Sequence, residues 1–184
     1  MDEGLEEFTL ETHDGKTFQM PLSICEMSDF LKTCNENLED EDGSVKLGQE
    51  TGIDGATMQF LFDHLKLHDF KPPGVNVQTV MPELKKNLDA KDYEHVKGLE
   101  GIDKIPQTAK YIKALNVLDI KPLRQVYICI IATEYTLEGR TIEEMNAKFK
   151  GKLPEKYQSY EELTQERMDE LNKMFPFMTQ KENA

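Results

Sequence analysis

Asp14 and Gly15 interrupt two short runs in which apolar and polar residues alternate, at residues 8–12 and 17–20. Alternation with a period of two is typical of a half-buried strand. An Asp-Gly pair between two such runs favours a tight type I′ turn, because both central residues of that turn have positive φ. The sequence therefore predicts an antiparallel hairpin in the first part of the chain.

Helix signals follow the hairpin. Residues 23–26 have the Ser-x-x-Glu form of a capping box, and apolar residues recur there at helical spacing. Those residues are Ile24, Met27, Leu31 and Cys34. Residues 45–47 are a candidate short strand, and Asp54 is a candidate N-cap for a second helix. Apolar residues lie on both sides of the second helix, with Phe60 and Leu67 on one side, which predicts a helix between two layers.

The stretch from residue 71 to residue 106 lacks a long regular pattern, because four prolines and three glycines divide it. Residues 89–96 are predicted as a short helix and the remainder as a surface excursion. A helical pattern returns at Thr108, and a further helix is predicted from Pro122 through Leu137.

Two more capping boxes mark the starts of the last two predicted helices. Thr141 is followed by Glu144, and Ser159 is followed by Glu162. Each box contributes on the order of 1 kcal/mol to fixing a helix start. With a hairpin early in the chain and helices after it, the predicted fold class is α+β.

Charge and hydropathy exclude several classes of function. The net charge of -13, from 35 acidic and 22 basic residues, disfavours binding to a phosphate backbone. The longest apolar run covers residues 126–132, well short of the roughly 20 residues that a membrane span needs. Three cysteines without a C-x-x-C pair indicate neither a disulfide framework nor a structural zinc site. We expect a soluble protein of the cytoplasm and nucleus, without nucleic-acid or membrane partners.

The residues offer little that indicates catalysis. His64 and His68 are four residues apart, a spacing that can chelate a metal, but no third ligand is indicated. We interpret both as polar residues on the flank of a helix and expect no metal site and no cofactor. A nucleophile elbow, a phosphate-binding loop and a dinucleotide fingerprint are missing from the sequence. We therefore expect no catalytic residues and no enzyme, although partners of a catalytic triad meet only in a fold.

The C-terminal segment is rich in methionine and phenylalanine. These residues are Met168, Met174, Phe175, Phe177 and Met178. Flexible methionine side chains adapt to partner surfaces. The alternative interpretation is that the last helix folds back as ordinary core, and the pattern favours neither one.

Several segments, taken in order, resemble the Skp family, the adaptors that link F-box proteins to cullin in SCF ubiquitin ligases. Residues 114–123 have the sequence A-L-N-V-L-D-I-K-P-L, similar to the family's A-A-N-Y-L-D-I-K-G-L. Residues 139–144 are similar to G-K-T-P-E-E, and Phe149 matches a family phenylalanine. Asp14, Gly15 and Phe18 match D-G-x-x-F in the family's first hairpin, and residues 92–97 are similar to D-x-E-F-L-K.

The resemblance implies a BTB/POZ core, a small sheet with helices, over residues 5–138 with an irregular insert at 71–106. It further implies a two-helix F-box-binding extension at 139–178, followed by a tail at 179–184. The implied function is an adaptor of an SCF-type E3 ubiquitin ligase. Asn116 and Val117 match the cullin-binding positions. The positions matching or near the F-box surface are Met145, Phe149, Leu163, Met168, Leu171, Met174 and Phe175.

Three departures from the family pattern bear on function. Val117 replaces an aromatic residue at the cullin-binding face. The ending at residues 174–178 replaces Trp-Cys-Glu, which alters the F-box surface. Ile142 stands where many members have a modified proline. The alternative function is therefore a Skp-like structural protein that self-associates, as a weak homodimer, outside the ligase.

Overall fold

The computed structural model describes residues 7–37, 44–73, 80–137 and 139–150, and, beyond these, 159, 162, 164–167 and 169. A small sheet is combined with helices, so the predicted α+β class is confirmed. The chain divides into one unit of residues 1–135 and a second unit of residues 136–184. Among the described residues, no helix has the length and apolar character needed to cross a bilayer.

The sheet of the first unit has the strand order β2-β1-β3. Its strands are β1 (Glu7–Glu11), β2 (Thr17–Pro21) and β3 (Ser44–Lys46). β1 pairs antiparallel with β2 and parallel with β3. Alternate residues of the hairpin are buried on one face, as the period of two predicts. The predicted hairpin and the short strand after it are therefore confirmed.

The hairpin turn is not the predicted type I′ turn. Thr12 N–H donates to the carbonyl of Lys16 at 2.9 Å, and Gly15 has a φ of +82°, whereas Asp14 does not have positive φ. This geometry belongs to a three-residue loop with glycine in the left-handed position. The Asp14 carboxylate accepts hydrogen bonds from Thr12 Oγ1 at 2.6 Å and from Gly55 N–H at 2.9 Å. Asp14 therefore ties the turn to the start of the helix that begins at Gly55.

Residues 162, 164–167 and 169 are helical, and six further α-helices have both bounds among the described residues. They are α1 (Asp29–Glu36), α2 (Gly55–Leu67), α3 (Ala90–Val96), α4 (Ile105–Val117), α5 (Lys121–Tyr135) and α6 (Ile142–Phe149). The predicted caps Asp54 and Thr141 are confirmed, since each side chain accepts a backbone N–H of its first helical turn. The third box is confirmed in part, because Glu162 N–H donates to Ser159 Oγ at 3.2 Å.

The predicted capping box at residues 23–26 is wrong. A 3₁₀ helix covers Leu22–Glu26 without a side-chain cap, and α1 is capped instead by Ser28. The buried Ser28 Oγ accepts from Leu31 N–H at 2.9 Å and donates to the carbonyl of Leu118 at 2.5 Å. Ser28 therefore links the start of α1 to a carbonyl group 90 residues later in the chain.

The prediction that α2 lies between two layers is correct for Phe60 and wrong for Leu67. Met58, Leu61 and Leu65 are buried in the main core. On the other side, Phe60 stacks on Tyr111 with ring centroids 4.6 Å apart, whereas Leu67 is 42% exposed. Leu67 is the last residue of α2, so no second layer covers it.

Two further predictions need correction. α3 is confirmed, but the stretch around it is not wholly a surface excursion, because Leu84, Leu88 and Leu99 are buried in the core. α5 ends at Tyr135, two residues before Leu137, which is 39% exposed. A helical conformation at an exposed leucine brings little tertiary packing to stabilise it. The apolar pattern therefore predicted a helix that is too long at its C-terminal end.

Candidate functional site

The segment with the strongest family resemblance forms a tight elbow between α4 and α5. We define the α4–α5 elbow as residues 115–121. Asp119 has a φ of +50°, a left-handed conformation that Asp tolerates better than most side chains. The N–H of Ile120 donates to the carbonyl of Leu115 at 3.0 Å, which closes the turn. Leu115, Leu118 and Ile120 are fully buried, so the elbow is anchored in the core.

The two predicted cullin-binding residues lie on the outer side of this elbow. Asn116 is exposed, and its Oδ1 accepts a hydrogen bond from Arg124 Nη1 at 2.5 Å. Val117 is half-buried and packs against the edge of the core. Arg124 Nε is buried and has no partner among the described residues. The elbow therefore presents one polar and one apolar side chain next to each other.

α1 is connected to the elbow by a side-chain hydrogen bond. The Ser28 hydroxyl donates to the Leu118 carbonyl at 2.5 Å, and Leu31 of the same helix is fully buried. The Ser28 hydroxyl therefore connects the start of α1 to the elbow. This anchoring holds Asn116 in position without a partner, which lowers the entropic cost of binding.

The predicted F-box surface is described only in part. Met145 and Phe149 lie on α6 and are 0% and 1% exposed, so they are shielded from water in the second unit. The other five predicted residues lie outside the described residues: Leu163, Met168, Leu171, Met174 and Phe175.

The interpretation of His64 and His68 as polar flank residues is wrong, because both are buried, at 0% and 8% exposure. Each donates its Nε2–H toward the same atom, Oδ1 of Asp92 on α3. The distance from His64 Nε2 is 2.8 Å. The opposite ring nitrogen of His64 lies 2.9 Å from the hydroxyl of Tyr127 on α5. These four residues, the histidine–aspartate cluster, link α2, α3 and α5.

Burial and hydrogen bonding set the ionisation of this cluster. Burial raises the pKa of Asp92, but the hydrogen bonds from His64 and His68 outweigh it, so the net pKa is lowered. Burial raises the pKa of Tyr127 well above its ordinary value, so its hydroxyl stays protonated. The Tyr127 hydroxyl therefore donates to His64 Nδ1 when His64 Nε2 carries the proton.

His95 lies beside the cluster without joining it. Its ring centroid is 4.5 Å from that of His64, and its Nε2 donates to the carbonyl of Phe60 at 3.1 Å. Burial lowers the pKa of His95, and the neighbouring His64 lowers it further. His95 is therefore held neutral, as a packing partner of the His64 ring.

The cysteines are all free, and burial raises the pKa of each thiol. A thiol with a raised pKa is a weak nucleophile at neutral pH. These thiols therefore lack the activation that a catalytic cysteine has.

Asp92 and Tyr127 are cluster members that the sequence did not assign to a site. The i, i+4 spacing of His64 and His68 was visible, but Asp92 follows an irregular stretch and Tyr127 lies on a later helix. The one available signal was the unusual presence of two histidines on a largely apolar helix.

Comparisons with known proteins identify no relative: no family model matches the chain, and no curated protein matches its sequence.

Proposed function

We propose that this chain is an adaptor subunit of an SCF-type E3 ubiquitin ligase, which bridges F-box substrate receptors to a cullin. The observation that carries the proposal is the α4–α5 elbow. The segment that most resembles the Skp family forms a corner anchored in the core, at which Asn116 is exposed and Val117 is half-buried. A preorganised corner of this kind supports the proposal, because it lowers the entropic cost of binding a partner.

The order of elements also supports the proposal. An early hairpin, a third strand parallel to β1 and a series of helices fit the BTB/POZ fold that the resemblance implies. α6 begins a second unit after residue 135, where the family has its F-box-binding extension. The free cysteines fit a reducing cytoplasmic or nuclear location.

The mechanism of such an adaptor is scaffolding. The first unit would bind the cullin and the second unit would bind the F-box, so that a substrate on the F-box protein lies near the catalytic module of the ligase. A few desolvated apolar anchors supply most of the affinity at such interfaces. The methionines and phenylalanines from residue 168 onward are the candidates for that role, since Met145 and Phe149 are already buried in the free chain.

Sequential calorimetric titration tests the proposal. The full chain is titrated with an F-box domain, and the resulting complex with a cullin N-terminal domain. We expect submicromolar binding in both steps. A folded chain that binds neither domain would contradict the adaptor function, and F-box binding alone would contradict its cullin-bridging role.

The alternative proposal is a self-associating structural protein. Val117 favours it, because this residue replaces an aromatic side chain at the proposed cullin face and leaves a half-buried apolar side chain at the elbow. Sedimentation of the free chain distinguishes the two. A dimer that depends on concentration and persists with cullin present supports self-association, and a monomer contradicts it.

A further inference from the structure

Three potential metal ligands converge at one point in the first unit. His64 Nε2, His68 Nε2 and a carboxylate oxygen of Asp92 all lie within 4.8 Å of one another. The two histidines are one turn apart on α2, and Asp92 is on α3. All three side chains are buried, so the atoms face each other and not the solvent.

The chemistry of this group suits a zinc ion. Imidazole nitrogen and carboxylate oxygen are ordinary zinc ligands, with metal–ligand distances of about 2.0–2.2 Å. Tetrahedral geometry at such distances separates neighbouring ligand atoms by about 3.3 Å. The His64 Nε2–Asp92 Oδ1 distance of 2.8 Å would have to widen by about 0.5 Å, and the shorter contact between His68 Nε2 and the same oxygen would have to widen by more.

The surroundings supply the outer support that zinc-binding histidines have. A metal-bound imidazole donates its other N–H to an oxygen acceptor, which orients the ring. His64 Nδ1 already lies 2.9 Å from Tyr127 Oη. The His64 ring also packs against the ring of His95, at a centroid distance of 4.5 Å. The orientation of His64 is therefore set by groups that are not ligands themselves.

We propose that His64, His68 and Asp92 bind a divalent zinc ion, with a water molecule as the fourth ligand. His68, with 8% exposure, is the most accessible of the three, and it marks the side from which ion and water enter. The ion would replace the direct hydrogen bonds between the histidines and Asp92. Zinc binding would thus hold α2 and α3 together.

The test uses the full chain, freed of metal with a chelator. Zinc is titrated in competition with a chromogenic chelator, and cobalt is used as a spectroscopic substitute. We expect one zinc ion per chain and the intense visible absorption of tetrahedral cobalt. At a zinc concentration about 100-fold above Kd, linkage predicts a rise in Tm of roughly 5–10 °C.

Substitution to glutamine provides matched variants. In His68→Gln the side-chain amide can still donate to Asp92, so the network is retained while one ligand is lost. We expect the zinc affinity to fall more than about 100-fold, since loss of outer support alone costs 10–100-fold. The control is His13→Gln, which changes an exposed histidine outside the cluster and should bind zinc as the wild type does.

Several results would overturn the proposal. The proposal is wrong if zinc does not raise the Tm, or if bound cobalt shows the weak absorption of a six-coordinate ion. It is also wrong if folded His68→Gln binds zinc with unchanged affinity. If folded His13→Gln lost zinc binding, the ion would lie at the exposed His13, and the proposal would be overturned as well. Since none of these measurements involves an F-box protein or a cullin, the outcome is independent of the proposed adaptor function.

Discussion

At the residue scale, Asn116 is an exposed polar side chain at the α4–α5 elbow. Its Oδ1 accepts from Arg124 Nη1, so its orientation is set before a partner arrives. Arg124 Nε lies buried beside it without a partner among the described residues. An incoming partner would therefore meet the Asn116 amide, since the buried Arg124 Nε is out of its reach.

Asn116→Arg is expected to weaken cullin binding at least about tenfold, or about 1.4 kcal/mol, while F-box binding persists. The new side chain loses the hydrogen bond from Arg124 and places a second cation beside it. Calorimetric titration measures both affinities. Gln19→Arg adds the same charge at an exposed position on β2 and should leave both affinities unchanged. If Asn116→Arg abolished both interactions, a folding defect would be indicated.

Substitution of Ser28 tests whether the stability of the elbow depends on its hydrogen bond to α1. Ser28→Ala removes the N-cap of α1 and leaves the buried Leu118 carbonyl without its hydroxyl donor. We expect a loss of about 2 kcal/mol in the free energy of unfolding, measured in urea. The matched control is Ser23→Ala, because Ser23 makes no capping bond. A loss below about 0.5 kcal/mol is expected there, as for an ordinary surface substitution. Equal losses in the two variants would contradict the assigned cap.

At the scale of elements, the sequence pattern correctly predicted features that depend on residues close together in the chain. The hairpin, the cap at Asp54 and the capping box at Thr141 depend on residues within a few positions of one another, and each is confirmed. The cap at Ser28 and the histidine–aspartate cluster depend on partners 24 to 90 residues away. No periodicity carries that information, because it arises only when separate helices pack.

Within the second unit, the last predicted helix is the element that should decide F-box recognition. Leu171→Asp or Phe175→Asp is expected to abolish detectable F-box binding, because a charge at an apolar anchor is costly to desolvate. Circular dichroism should show that the first unit remains folded. Lys181→Asp, in the predicted tail, is the control and should bind normally. Unchanged binding by both leucine and phenylalanine variants would contradict the assignment of this surface.

At the scale of the whole molecule, the two units differ in what they contain. The main core cluster comprises buried side chains between Phe8 and Ile130, all in the unit of residues 1–135. The α4–α5 elbow and the histidine–aspartate cluster lie in the same unit. The predicted F-box residues, from Met145 onward, all lie in the second unit. The adaptor proposal therefore assigns its two partners to different units of the chain.

This division predicts the behaviour of a chain shortened to residues 1–135. Because the main core cluster is complete within these residues, we expect cooperative unfolding in urea, measured by circular dichroism. We expect cullin binding to be retained within about tenfold and F-box binding to be lost. Asn116→Arg in the shortened chain is the matched control and should lose cullin binding. A shortened chain that folds but binds an F-box domain would contradict the assignment of the two partners. If it folded and formed a dimer without binding cullin, the self-association proposal would replace the adaptor proposal.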